Sequence, residues 1–292
     1  MVLRYHPLCF CQLWGTSAAP NTNTYTYIYD KLNRLKSGTS VDNYKETNIS
    51  YDPMGNITAL NRYQANTLID QLTYSYSSTN QVQTIADGSG SNTGLVSGTT
   101  TYNWDGNGNL LSNTNTTNTG QNKSFTRNLL NLPQVVTVPT GTVTYTYDAA
   151  GNKLRKVDVL SGVTKTTDYI SGIEYDNSTT TIGFIQTEEG KAVPSGTSYD
   201  YQYYLGDNLG NTRITFSTIS GTASTTQTDD YYPFGMEILR GTAPNPKNEY
   251  LYNKKELQEE FTEYDYGSSS LWREVLSLKP NKIKKIFSLS LC

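Results

Sequence analysis

The chain has 292 residues, with 23 Lys and Arg against 26 Asp and Glu, a formal net charge of −3. That balance excludes a strongly basic surface of the kind that steers nucleic acids, and no apolar run approaches the ~20 residues that span a bilayer. The three cysteines, Cys9, Cys11 and Cys292, sit at the extreme ends, which excludes a disulfide framework in the body; 24 tyrosines supply the apolar area that a disordered chain lacks.

Residues 1–24 read as an irregular or truncated N-terminus. A short apolar stretch broken by His6, Pro7 and Gln12 makes a poor secretory leader. His6 is the single histidine, so a Ser-His-Asp or Cys-His mechanism in the body lacks its base. Histidine-ligated zinc or iron is excluded with it. Cys9 and Cys11 are spaced for neither a redox loop nor a zinc knuckle.

From residue 25 to about residue 160 one phrase recurs: aromatic-Asp-x-x-Gly-Asn. Its clear copies are Tyr51-Asp52-Pro53-Met54-Gly55-Asn56, Trp104-Asp105-Gly106-Asn107-Gly108-Asn109 and Tyr147-Asp148-Ala149-Ala150-Gly151-Asn152. Looser copies are Tyr29-Asp30-Lys31-Leu32-Asn33, Tyr76-Ser77-Ser78-Thr79-Asn80 and Arg127-Asn128-Leu129-Leu130-Asn131. The copies begin at 30, 52, 77, 105, 128 and 148. Recurrence every few tens of residues is the mark of a stacked repeat architecture.

Each copy reads as a β-hairpin. Ahead of the third, Thr142-Val143-Thr144-Tyr145-Thr146-Tyr147 alternates with period 2 in β-branched and aromatic residues, the pattern of a half-buried strand. Asp then offers its carboxylate to nearby N–H groups, and Gly-Asn supplies positions where positive φ costs little. The return strand leaves through Leu110-Leu111 or Lys153-Leu154-Arg155. Gly/Ser/Thr/Asn-rich stretches at 87–94 and 112–120 read as tips that tolerate length change.

Residues 161–267 form a second region. Asp207-Asn208-Leu209-Gly210-Asn211 keeps the turn without the aromatic, and Tyr231-Tyr232-Pro233-Phe234-Gly235-Met236 follows. The pairs Glu188-Glu189 and Asp229-Asp230 point to opposite faces of a strand, which suits exposed, solubilising loops better than acid/base chemistry. Lys254-Lys255-Glu256-Leu257-Gln258-Glu259-Glu260-Phe261 predicts one short helix packed on the sheet, with Leu257 and Phe261 on one face. Asp105-Gly106-Asn107-Gly108-Asn109 alternates oxygen ligands as a calcium loop does. Leu110 and Thr116 stand where that loop wants Gly and Glu, so the turn reading prevails. No catalytic, metal or cofactor site is expected, and the chain is read as non-enzymatic.

These motifs resemble the YD-repeat, or RHS-repeat, proteins. The phrase Tyr-Asp-x-x-Gly-Asn is that family's repeat. Its RHS-repeat-associated core region is similar to Tyr204-Leu205-Gly206-Asp207-Asn208-Leu209-Gly210-Asn211, to Tyr232-Pro233-Phe234-Gly235 and to the stretch 248–258. The resemblance runs from about residue 25 to Gly267. It implies an all-β fold of tandem hairpins wound into a shell-like antiparallel sheet, here a fragment of a larger shell. The implied role is a structural wall that encloses or presents C-terminal cargo in a secreted or cell-surface toxin-type protein. Its implied partners are a C-terminal toxin or cargo domain and further repeats. After Gly267 the match stops, and 268–292 read as an aberrant tail from a truncated or shifted reading frame, so no toxin activity is assigned. The alternative reading is a surface adhesin or carbohydrate-binding repeat module, its tyrosines and tryptophans stacking on sugars.

Overall fold

The computed structural model describes residues 10–12, 25–177, 180–241, 244, 246–266 and 271–272. His6, Cys9, Cys292 and most of the two terminal segments lie outside the described residues.

Twenty-one strands form one antiparallel sheet, from Phe10–Gln12 to Glu237–Arg240. Each strand pairs with the next in chain order, so the sheet is a continuous meander. Its first and last strands do not pair with each other, and the sheet is not closed. The strand Gly141–Tyr147 shows why these residues make strands: Val143 and Tyr145 are buried on one face while the threonines point the other way.

In a meander, alternate connections lie at the same end of the strands. The recurrent phrase therefore sits in one row at one end. Residues 30–34, 52–56, 77–81, 105–109, 128–132, 148–152, 207–211 and 232–236 all make the same five-residue turn. The first N–H donates to the fifth carbonyl at 2.8–3.0 Å, and the fourth N–H donates to the first carbonyl at 2.8–3.1 Å. The fourth residue always has positive φ, from 57° at Asn33 to 90° at Gly55 and Gly235. That is why Gly or Asn occupies it in every copy. Between the sixth and seventh of these turns, the connections at 171–172 and 187–189 depart from this form.

Beyond the turn, the return strand carries one extra residue. Tyr51 pairs with Ile57 but Ser50 pairs with Ala59, which leaves Thr58 as a bulge. The same skip occurs at Lys36, Gln83, Leu111, Gln134, Leu154 and Arg213. A bulge bends its strand and increases the local twist. Repeated in the same place in seven hairpins, it bends them in the same sense; the hairpins that turn at 171–172, 187–189 and 232–236 pair without it.

The curl brings the two ends of the sheet together. The turn at 232–236 docks on the inward face of the early strands, where Pro233 covers Gly38, and a small cluster of Tyr25, Ile69, Tyr232, Met236 and Ile238 forms between them. Residues 246–266 then run back across the inward face as a strap. Leu251, Tyr252, Leu257, Phe261 and Tyr264 enter the main core beside Leu60, Leu72, Ile85, Val136 and Val143.

The predicted helix over 254–261 is absent. A single 3-10 turn at Tyr252–Lys254 precedes a two-residue strand, Leu257–Gln258, paired with Glu263–Tyr264. Asn253 and Lys254 have left-handed φ of 52° and 55°. The Leu257 N–H donates to Glu249 and its side chain is fully buried. So short a helix is marginal by itself, and contacts with the sheet on several sides outweigh its propensity.

The candidate functional surface: turn ladder, wedges and roll

Where an acid heads the turn, at Asp30, Asp52, Asp105, Asp148 and Asp207, its carboxylate is engaged locally. Asp148 Oδ1 accepts the N–H groups of Ala150 and Asn152 at 2.8 Å, and Oδ2 accepts the Asn152 side-chain amide at 2.7 Å. Asp105 does the same with Asn107 and Asn109, and Asp207 with Leu209 and Asn211. Asp30 receives the Arg34 guanidinium in place of the amide, at 2.7 Å. The side-chain amides of Asn109 and Asn152, helped by backbone N–H groups, hold the Asp105 and Asp148 carboxyls below their ordinary range. The 105–109 segment thus takes the same five-residue turn as the other copies.

Neighbouring turns are tied to each other. The Asn56 amide donates to Asn80 Oδ1 at 3.0 Å, and the Asn109 amide to Asn131 Oδ1 at 3.2 Å. The closing Asn of one repeat thus reaches the positive-φ Asn of the next.

The aromatic before the acid has a distinct task. Successive hairpins pair only away from the turn row: the third and fourth strands share just Gly38↔Glu46 and Thr39↔Lys45. Toward the turns they splay into a wedge, and the first carbonyl of the previous return strand loses its ladder partner. The Tyr51 hydroxyl donates to the Leu35 carbonyl at 2.7 Å, Tyr76 to Ile57 at 2.8 Å and Trp104 Nε1 to Val82 at 2.7 Å. Arg127 reaches Leu110 at 3.4 Å. A ring long enough to span the wedge, with a donor at its tip, fills the gap and satisfies that carbonyl.

Tyr231 donates in the same way to Thr212 at 2.6 Å. Tyr232-Pro233-Phe234-Gly235 is therefore a further copy of the repeat, with Tyr232 in the acid's place. No carboxylate signal marked it. Only the aromatic, the spacing and Gly235 could have revealed it. Its turn ties the late strands to the early ones: the Tyr232 hydroxyl donates to Tyr63 O at 2.9 Å, and the Phe234 N–H points to Glu46 at 3.3 Å.

Behind this turn lies a buried ionic group that sequence reading missed. Arg62 pairs with Glu46 at 2.9 Å and with Asp70 at 2.5 Å, all three side chains being nearly inaccessible. Asp70 also accepts the Leu95 N–H from the loop at 87–97, which folds inward onto it. Burial pushes the Glu46 and Asp70 carboxyls up, and the Arg62 charge between them pulls them back.

Asp229 and Asp230 are not the solvated loop acids expected. Both are buried, on the strand Ser224–Tyr231. Asp230 binds Arg213 at 3.0 Å and Arg240 at 2.7 Å, while Asp229 accepts the Gln227 amide under Asn248. The roll covers both faces of this strand, so opposite-pointing neighbours are both enclosed. Glu188 and Glu189 are exposed, as expected.

The strap is held by a second ionic set. Lys153 reaches Glu256 at 2.6 Å and Asp265 at 2.8 Å, Lys156 reaches Glu260 at 2.9 Å, and Lys123 reaches Glu263 at 3.2 Å. The Tyr145 hydroxyl meets Gln258 at 2.7 Å. Among the described residues no helix is long and apolar enough to cross a membrane.

No protein-family model and no curated protein matches the chain. Solved structures do. The crystal structure of TcdB2-TccC3-Cdc42 matches 87% of this chain at 16% identity with a TM-score of 0.56. TcdB2-TccC3-TEV matches 89% at 14% identity with a TM-score of 0.57, and TcdB2-TccC3 without its hypervariable C-terminal region matches 89% at 15% with a TM-score of 0.55. The chain spans only 15–16% of the length of those chains. At such identities the likeness establishes the fold: a rolled sheet of antiparallel hairpins, shared with a stretch of much longer proteins.

Proposed function

We propose that this chain is a wall segment of an RHS/YD-repeat shell in a secreted or surface-delivered toxin-type protein, and that its work is enclosure, not catalysis. The observation that carries this reading is the repeating unit itself. Turn, wedge-filling donor and bulge recur in one row along the early strands and again at 207–211, and they bend those hairpins alike, as a curved wall requires. The fold likeness to TcdB2-TccC3 supports it. In this reading further repeats extend the sheet and cargo lies beyond the strap. The test grafts residues 25–266 in place of the matching stretch of TcdB2-TccC3 lacking its hypervariable region. Electron microscopy should show an unbroken wall; a folded chimera with a gap at the graft overturns the reading. Turnover of ester, glycoside or peptide substrates by the purified protein, abolished by one carboxylate substitution, would replace it with an enzymatic one.

One observation favours a second reading, a carbohydrate-binding module. Tyr199 and Tyr201 are 37% and 52% exposed on the outer face of the strand Ser198–Gly206, and Tyr203 beside them stacks on Phe216 at 5.2 Å. Glycan-array binding that is lost in Tyr201→Ala would support it, and an array with no signal would remove it.

A further inference from the structure

The strap and the sheet bring carboxyl groups together where lysines do not offset all of them. Tyr169 and Glu174 face each other across adjacent strands on the inward face. The Tyr169 hydroxyl donates to Glu256 of the strap at 3.0 Å, and the strap's Tyr250 hydroxyl donates to Glu174 at 2.5 Å. Glu174 and Glu256 are therefore held against the same ring. Glu249 lies one residue before Tyr250, within the field of Glu256 and Glu260. From the sheet, Lys153 and Lys156 are engaged by Glu256, Asp265 and Glu260; Lys165, Lys191 and Asp158 complete the charged surroundings, with Tyr145, Tyr204 and Tyr250 as neutral neighbours. The strap itself is anchored in the core by Leu251, Leu257, Phe261 and Tyr264.

We propose that residues 246–266 are a pH-operated closure of the roll, seated while Glu174 and Glu249 are protonated and loosened when both carry charge beside Glu256. Burial, then repulsion from Glu256, raises the Glu174 carboxyl from 4.5 to about 7. Burial raises Glu249 to about 7 as well, with Lys156 opposing and Glu256 and Glu260 adding to the rise. A carboxyl raised in the folded state favours that state below its ordinary value, and the contribution is lost as pH climbs through 7. Glu256 and Glu260 act in the opposite sense. Burial raises them, but Lys153 and Lys156 beside Glu256, and Lys156 beside Glu260, pull both below the ordinary range. Their grip is lost only in stronger acid. The strap is tightest in the mildly acidic interval between the two.

Hydrogen exchange on the intact chain tests this. Between about pH 6 and about pH 8, strap amides should open about tenfold or more for each carboxyl that ionises, after correction for intrinsic exchange, while amides of the strand Ile57–Gln64 keep their protection. The Glu174→Gln, Glu249→Gln double variant should make strap opening insensitive to pH. Unchanged strap protection in the wild type overturns the closure, as does loss of strap and Ile57–Gln64 protection together. Should the double variant not fold, Tyr250→Phe, which removes the hydroxyl bond to Glu174, should shift the wild-type transition; an unshifted transition also overturns it.

Discussion

The hydroxyl of Tyr51 donates to the carbonyl of Leu35 across the wedge between two hairpins, 16 residues apart in sequence and 2.7 Å apart in space. That bond joins one repeat to the next where their backbones have stopped pairing. It explains why an aromatic with a polar tip precedes the acid in the repeat, and why Trp104 can take the same place as a tyrosine.

Removing the tip should therefore cost more than a surface hydrogen bond. Tyr51→Phe and Tyr76→Phe each strand a carbonyl in a half-buried wedge, and each should destabilise the chain by about 1–3 kcal/mol in urea unfolding. The two effects should add, because the wedges are separate.

Gly38 lies inside the strand Leu35–Ser40 and is required by the packing of the roll, not by a turn. A Cβ there would lie 2.5 Å from Pro233 Cγ and 3.0 Å from the Tyr27 ring. Gly38→Ala should cost about 1–3 kcal/mol by overpacking, and Pro233→Ala in the same chain should recover part of it. Thermal denaturation of the single and double variants gives the comparison.

Arg62 holds two buried acids. Arg62→Leu leaves Glu46 and Asp70 without their cation and should destabilise by about 3–5 kcal/mol at neutral pH. The loss should shrink as pH falls and the two acids take up protons. Unfolding curves at several pH values measure the trend.

The turn carboxylates predict an acid limit. Asp105 and Asp148 are held below their ordinary range by the amides and N–H groups they accept. Their contribution is present above that ordinary value and is lost as pH falls through the lowered one. Asp148→Asn should flatten the acid limb of the stability profile measured by circular dichroism.

Much of the hairpin sheet is legible in the sequence. Period-2 runs such as 142–147 gave strands, and Asp-x-x-Gly-Asn gave the turns, since both depend on neighbours within a few residues. The copy at Tyr232 was legible only as a resemblance, because its turn keeps the geometry with no acid. The segment at 254–261 has a helical pattern yet forms a 3-10 turn and a short strand, and Asp229 and Asp230 are buried where their pattern suits solvent. In both cases the deciding partners, Lys153, Lys156, Arg213 and Arg240, lie on other strands.

Local sequence thus determined the hairpins, their turn chemistry and their recurrence along the chain, because backbone preference and short-range hydrogen bonds suffice for each. The tertiary structure alone decided that the bulges add up to a roll, that its ends meet at Gly38 and Pro233, and that a charged strap lies within. Curvature accumulates over the whole sheet, and burial of charge depends on groups tens to more than a hundred residues apart, which no local pattern records.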